Sequence, residues 1–408
     1  MIPQRLDADT HGRLIVLAGL TDIRSDTLGQ MLSTHSIEFL WNALRGGRAV
    51  EFARRSGNVL PLPAARAQQW GFEIRAADPA AAATAHQRAG VSVLAIGEPG
   101  YPESFQSLDD PPGVIFVQGD PSLLTDFCPG SNASGSSGSS GSFGSSEHRR
   151  TAIVGTRRAT SYGRQMARSL GRSLAAAGVE VVSGLAAGID GAAHAGALCD
   201  RADSDARPIA VVGSGLDHPY PSANRELWNS VRCHGALVSE WPLGARPIAW
   251  HFPARNRLIV GLSEAVVVVE SAATGGSMIT VKYAQQRGVP VLCVPGLLTS
   301  PASVGPHQVL ADGGAVCRGA DDVLIAMGML ARGSALRPGL DPRRQPSVDG
   351  AAVLSGLGWD VLPVERLMTK FPNCTPGTLL LALHELEFDG WVTRGSDGWF
   401  QLAATGGR

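Results

Sequence analysis

TAIVGTRRATSYGRQMARSLGRSLAAAGVEVVSG, residues 151–184, sets a short β-branched run, a Gly/Thr/Arg turn, a long segment with helical spacing and a second β-branched run end to end. A continuous apolar strand has no face to give to water, so both of its faces must be covered. A strand, a helix and a second such strand make a parallel crossover unit. Working outward, PIAVVGSG (208–215), ALVSE (236–240), AVVVVE (265–270), VPVLCVPG (289–296) and AVCRG (315–319) repeat the pattern, and SMITVKYAQQRG (277–288) supplies another helix. The expected core is therefore α/β, a Rossmann-like parallel sheet. Gly or Ser stands at the carboxyl end of nearly every run: Gly155, Ser183, Gly184, Gly213, Gly215, Gly275, Gly276 and Gly296. In open α/β sheets the ligand crevice lies outside those ends, which predicts a phosphate-binding edge.

Around this core the chain divides further. Residues 12–76 read as short helices (SDTLGQMLSTH, SIEFLWNALRGG, LPAARAQQWGFEI), so 1–85 is expected to be a small helical domain of the helix-hairpin-helix or SAM-like kind. VSVLAI (91–96) and GVIFVQG (113–119) read as two strands that join the sheet, giving a core over 90–330. Within it, 128–148 holds a Gly/Ser insert too poor in apolar residues to offset its ordering entropy; as a coil its ends would lie on the order of 20 Å apart. An Arg/Pro-rich linker (331–350) leads to 351–408, three helices and a hairpin turning at Asp397 and Gly398, the pattern of a winged-helix domain. Its third helix, LLLALHELEF, has no Arg or Lys for a DNA groove, which favours protein contact over base reading.

Composition narrows the function classes. Lys and Arg total 35 against 36 Asp and Glu, so bulk charge cannot hold nucleic acid or an anionic membrane, and any such binding must be local. Only Lys282 and Lys370 are lysines, which leaves cationic contacts to the planar guanidinium fork; the Arg excess also fits a GC-rich genome. The apolar stretch Leu14–Leu20 is far short of the roughly 20 residues of a membrane span. The six cysteines show no metal-ligand spacing and are read as reduced and mostly buried. Together these predict a soluble cytoplasmic protein without metal or membrane.

Three loops carry chemistry. Thr156, Arg157 and Arg158 follow a strand and precede a helix, an amide-rich turn with a hydroxyl and guanidiniums suited to a phosphate. Its spacing fits neither GxGxxG nor GxxxxGK[ST], so no dinucleotide or NTP cofactor is expected. In HFPARNRLIV, Phe252, Arg255, Asn256 and Arg257 share what reads as one loop, the composition of a single-strand groove. Two plainer readings stay open: Phe252 as a core plug, and Arg255 as a partner of Glu264 or Glu270. Gly275, Gly276, Ser277 and Thr280 open a helix after the strongest strand, a second anion cradle. No nucleophile and base set is found, so no enzyme activity is expected. Asp190 and His194, four apart on one helix, read as a helix cap and a packed histidine.

The ordered runs IVGTRRATSYG, VVSGLAAGIDGAAH, GSGLDHPYPSANREL, HFPARNRLIVGLS and ESAATGGSMIT closely resemble the DNA-processing protein A family (DprA, also called Smf), and YPESFQSLDDPPGVIFVQG resembles its lead-in segment. The resemblance covers about residues 90–325. It implies a dimeric protein that binds and protects incoming single-stranded DNA in natural transformation and loads the recombinase RecA onto it. Carried over by motif, it implies DNA contacts from Thr156, Arg157, Asn224, Arg225, Phe252, Arg255, Asn256, Arg257, Gly276 and Ser277. Ala187, where the family often has a basic residue, removes a possible phosphate contact; Leu297 and His307 stand where Ser and Asn are usual. Two rival readings remain, a nucleotide phosphoribohydrolase-like enzyme and a winged-helix DNA-binding regulator.

Overall fold

The computed structural model describes residues 6–53, 59–124, 148–199, 206–330, 346–357, 362–372, 374–395 and 398–401. The Gly/Ser insert, apart from His148, lies outside them, as do most of the 331–350 linker and Asp397 of the expected hairpin turn. The chain forms two compact units, Met1–Leu330 and Ala331–Arg408.

The first unit begins with α1 (Ala8–Ala18), α2 (Ser25–Thr34) and α3 (Ile37–Arg45), a hairpin of β1 (Glu51–Ala53) and β2 (Val59–Pro61), then α4 (Ala64–Ala76) and α5 (Pro79–Arg88). Sequence periodicity anticipated α2, α3 and α4 but not α1, α5 or the hairpin. Both missed helices have an aspartate cap. Asp7 accepts from Thr10 N at 2.8 Å, and Asp78 accepts from Ala81 N at 3.0 Å with Pro79 in the first turn. Leu14, Leu17, Leu40 and Trp70 from these helices share one buried cluster with the sheet residues Val114, Phe116, Val212 and Leu237.

There follow β3 (Val91–Ala95), α6 (Glu103–Gln106), β4 (Val114–Gly119), β5 (Arg149–Val154), α7 (Ser161–Ala176), β6 (Val179–Ser183), α8 (Ile189–Ala197), β7 (Ile209–Val212), α9 (Arg225–His234) and β8 (Ala236–Ser239). The unit ends with α10 (His251–Gly261), β9 (Ala265–Val268), α11 (Gly276–Gln286), β10 (Val291–Cys293), α12 (Val304–Ala311), β11 (Ala315–Val316) and α13 (Ala320–Ala326). Nine strands form one sheet in the order β11-β10-β9-β5-β6-β7-β8-β4-β3. It is a mixed α/β architecture with a mostly parallel sheet: β5 to β11 pair in parallel, and β4 and β3 add antiparallel to β8. The β5–β9 strands are buried along nearly their whole length, as continuous apolar runs require. Helix α7 opens at Thr160, whose hydroxyl accepts from Gly163 N, and packs so closely on α8 that a Cβ at Gly171 would lie 2.2 Å from Ala193 O.

One expectation is corrected here. Residues 251–257 are not a loop but the first turns of α10. Pro253 is tolerated there because the first helical N–H groups have no intrahelical acceptor.

The second unit contains α14 (Val348–Leu357), α15 (Val364–Lys370), α16 (Pro376–Phe388) and an antiparallel pair, β12 (Val392–Gly395) and β13 (Gly398–Gln401). Thr375 caps α16 with Pro376 at its first position. Trp399, Leu383 and Leu367 lie in its core. Among the described residues, no helix is long and apolar enough to cross a membrane. Cys293 and Cys317 are buried, which pushes both thiols up to about 12, but Cys199 and Cys233 are exposed, contrary to the expectation of mostly buried thiols.

Candidate nucleic-acid interface

Strand β5 lies between β6 and β9, so the chain leaves it toward one side of the sheet and returns on the other. That reversal opens a crevice at the carboxyl ends of β5 and β9, where open α/β sheets bind ligands. The loops bounding it are tied together. Thr156 N donates to Glu270 O at 2.7 Å, and the buried Glu270 carboxylate accepts from Thr160 N at 2.9 Å and Thr160 Oγ1 at 2.5 Å. Glu270 thereby anchors the start of α7 and is not free to face a ligand.

A cavity of about 520 Å³ fills the crevice. On one wall the exposed Arg157 places its guanidinium carbon 4.7 Å from the ring centroid of the half-buried Phe252, a cation–π geometry. Tyr220 packs against the same ring at 5.2 Å. Helix α11 begins at the same cavity. Gly275 is its N-cap, and the space where a Cβ of Gly276 would stand is open to 4 Å, so a ligand can approach the first backbone amides closely. Asn256 Nδ2 donates to Gly276 O at 3.2 Å, and Ser277 Oγ donates to Ser271 Oγ at 2.7 Å; both brace this helix start.

Two buried charged side chains, Asp190 and Arg255, also line the cavity. Asp190, on α8, accepts from Gly184 N at 3.2 Å and from the backbone of Gly155 and Ala186; burial raises its pKa, while Arg255 and these N–H groups pull it back. Arg255 donates through Nη1 to Val211 O, and its Nε has no hydrogen-bond partner. Burial lowers the Arg255 pKa to about 10, with Asp190 resisting and Arg157 adding to the fall, so the guanidinium stays charged near neutrality. A Cβ at Gly184 would lie 2.0 Å from Arg255 Nη2; the glycine is what lets the guanidinium fit under the loop.

Of the residues singled out from sequence, Thr156, Arg157, Phe252, Arg255, Asn256, Gly275, Gly276 and Ser277 line this one cavity, and Gly184 adjoins it through Arg255. Arg158 and Arg225 are exposed and outside its lining. Asn224 holds the loop after β6, donating to Leu185 O at 2.9 Å and Ala186 O at 3.2 Å. Arg257 is elsewhere. Its guanidinium is buried in a double hydrogen bond to Glu240, with further bonds to Asp110 O and Ala254 O. Arg255 does not pair with Glu264, which Arg149 engages at 2.7 Å, or with Glu270. Asp190 is not a helix cap but accepts from Gly184 N and acts electrostatically on Arg255, and with Tyr220 it is a lining residue that sequence reasoning missed. Among the described residues, no group of three or more His, Cys, Asp or Glu side chains is placed to hold a metal ion.

Comparisons with known proteins show which family the chain is similar to. Residues 139–328 match the family model of DNA recombination-mediator protein A. The DNA processing protein DprA of Bacillus subtilis is 36% identical over 239 residues, covering 59% of this chain and 72% of the relative. Protein Smf of Escherichia coli is 33% identical over 307 residues, covering 74% of this chain and 75% of the relative. The X-ray structure of DNA processing protein A from Streptococcus pneumoniae superposes with a TM-score of 0.56 at 25% identity, over 79% of this chain and 98% of that one. The chain belongs to the DNA recombination-mediator protein A family, whose members bear the names DprA and Smf.

Proposed function

We propose that this protein binds single-stranded DNA in the cavity at the switch point, and that it protects incoming DNA and hands it to the RecA recombinase in transformation or homologous recombination. The observation that carries the reading is the Arg157–Phe252 pair lining one cavity with the open helix start at Gly276. A guanidinium and a helix N-terminus suit phosphate oxygens, while an aromatic ring suits any base face, and a duplex keeps those faces stacked away from such a ring. The site is one of binding rather than catalysis. The family's description as a recombination mediator, and the names of its relatives as DNA processing proteins, support the DNA and recombinase roles. A homodimer in the cytoplasm, a helical accessory domain at the amino end and a winged-helix tail that meets protein partners complete the proposal.

The enzyme alternative needs a glutamate a few residues into the helix after the Gly-Gly loop, and GSMITVKYAQQ of α11 has none. The winged-helix regulator needs cations on α16, and PGTLLLALHELEF has none. Filter binding with matched single-stranded and duplex oligonucleotides separates these readings. Phe252→Ala is expected to weaken single-strand binding by roughly 1–3 kcal/mol across base compositions while leaving the melting temperature nearly unchanged, because the ring is only half-buried. Arg157→Ala is expected to reduce the slope of log affinity against log salt by about 0.7, the mark of one lost phosphate contact. Unchanged binding in both variants would remove the cavity from the DNA path.

A further inference from the structure

The crevice continues past the first cavity. A second cavity of about 430 Å³ is lined by Pro253 and Ile279, which also line the first, and beyond them by Trp250, Tyr283 and Arg24. Both cavities belong to the first unit, and the second brings the start of α2 to α10 and α11.

Its aromatic wall is held rigidly. Trp250 stands nearly perpendicular to Trp241 at 6.2 Å and to His251 at 4.4 Å, while Trp241 and His251 stack at 4.0 Å. A ring fixed in this way loses little further freedom when a planar group packs on it. A small adjoining crevice shares Trp250, Ala254 and Tyr283 and reaches Arg257 and Glu240.

Charge at the second cavity is mixed. Arg24 is the N-cap residue of α2 yet makes no side-chain cap bond, and its mostly exposed guanidinium meets Asp26 at 3.2 Å. An exposed pair of that kind is worth about 0–1 kcal/mol, little enough for a phosphate to displace. Asp22, which also lines the cavity, is engaged by Arg66 at 3.0 Å. A cavity with two aromatics, one releasable guanidinium and no net excess of positive charge would hold a free nucleotide weakly. It would hold one well if that nucleotide were tethered to another already bound next door, because the second contact is then intramolecular.

We infer that this second cavity is a further nucleotide subsite, taking a neighbouring nucleotide of the same strand with its base against Trp250 and Tyr283 and its phosphate at Arg24. The inference rests on the reading of the first cavity as a single-strand site. A strand too long for the first cavity must leave it, and Pro253 and Ile279, shared by both cavities, mark an exit toward an aromatic surface.

The test is affinity as a function of strand length. Oligothymidylates from about 2 to about 12 nucleotides are titrated by fluorescence anisotropy into the full chain and into Arg24→Ala, Trp250→Ala and Trp250→Phe, each with a melting curve. Arg24→Ala and Trp250→Ala are expected to match the parent on the shortest strands and fall about 10-fold behind on the longest, with Trp250→Phe keeping most of the gain. Should Trp250→Ala melt early, Arg24→Ala alone decides. Curves that run parallel to the parent at every length, or an equal loss at the shortest and longest strands, would overturn the subsite while leaving the first cavity standing. A parent that binds no strand of any length would overturn the single-strand reading itself, and the subsite with it.

Discussion

Arg257→Ala is expected to cost roughly 3–5 kcal/mol of folding stability and to leave the DNA affinity of the folded fraction nearly unchanged. Both Arg257 and Glu240 are at most 3% exposed, and the guanidinium meets both carboxylate oxygens of Glu240. Burial works against the charged guanidinium, but Glu240, and after it Asp110 and Asp26, raise the Arg257 pKa, so the guanidinium stays charged at every ordinary pH. Removing the arginine leaves the buried Glu240 carboxylate without its guanidinium partner, and the cost is that uncompensated charge rather than the worth of the contact. Such a loss is a large share of a typical total stability of about 5–15 kcal/mol. Replacing both partners, Arg257→Leu with Glu240→Leu, is expected to recover much of it, because two apolar side chains need no partner. Urea unfolding followed by single-strand titration checks both parts. A variant that unfolds like the parent but loses DNA binding would return Arg257 to the DNA path.

This contrast between Arg255 and Arg257 marks the limit of what the sequence discloses. The strands were legible because AVVVVE or PIAVVGSG has no polar face, and a run of that kind has few homes other than a covered parallel sheet. The glycines at the strand ends were legible for the same reason: once strand direction is known, their side of the sheet follows. What a guanidinium faces was not. Arg255 and Arg257 stand two apart in one helical segment, with the same neighbours in sequence and the same chemistry. Glu240, 17 positions before Arg257, becomes its partner, and Asp190, 65 before Arg255, comes to act on its charge, only when α8 and the end of β8 are laid against α10. The Arg157–Phe252 stack likewise joins residues 95 positions apart. Misreading α10 as a loop had a local cause, since His, Phe and Pro in its first turn look like punctuation while Pro253 is harmless there. The helix α5 was missed although Asp78 and Pro79 signalled its start; an alanine-rich segment shows no hydrophobic periodicity to call attention to the cap.

Acid is expected to destabilise the first unit below about pH 6.5 through His194. The imidazole is fully buried, with Nε2 3.2 Å from Ile209 O and Nδ1 without a hydrogen-bond partner. Burial lowers its pKa from 6.5 to about 4; the bond to Ile209 acts the other way and the nearby Arg255 charge adds to the fall. Above pH 6.5 the ring is neutral in both folded and unfolded chains and contributes no pH dependence. Between about 6.5 and about 4 the unfolded chain takes up a proton that the folded chain refuses, so stability falls as pH falls, by roughly 3 kcal/mol over the whole window for this one group. His86 and His251, both lowered first by burial, act with the same sign. Asp190 and Asp110, both raised by burial, act with the opposite sign as they take up protons in the folded chain, so the total slope mixes several groups. The contribution of His194 is isolated by His194→Gln, whose amide can still donate to Ile209 O but cannot titrate. The stability difference between parent and variant is expected to move in favour of the variant as pH is lowered from 7 toward 4 (the window set by these two pKa values), and to be flat above it. A difference that does not change with pH would show that His194 is protonated as readily in the folded chain as in the unfolded one, and that its buried site is open to water.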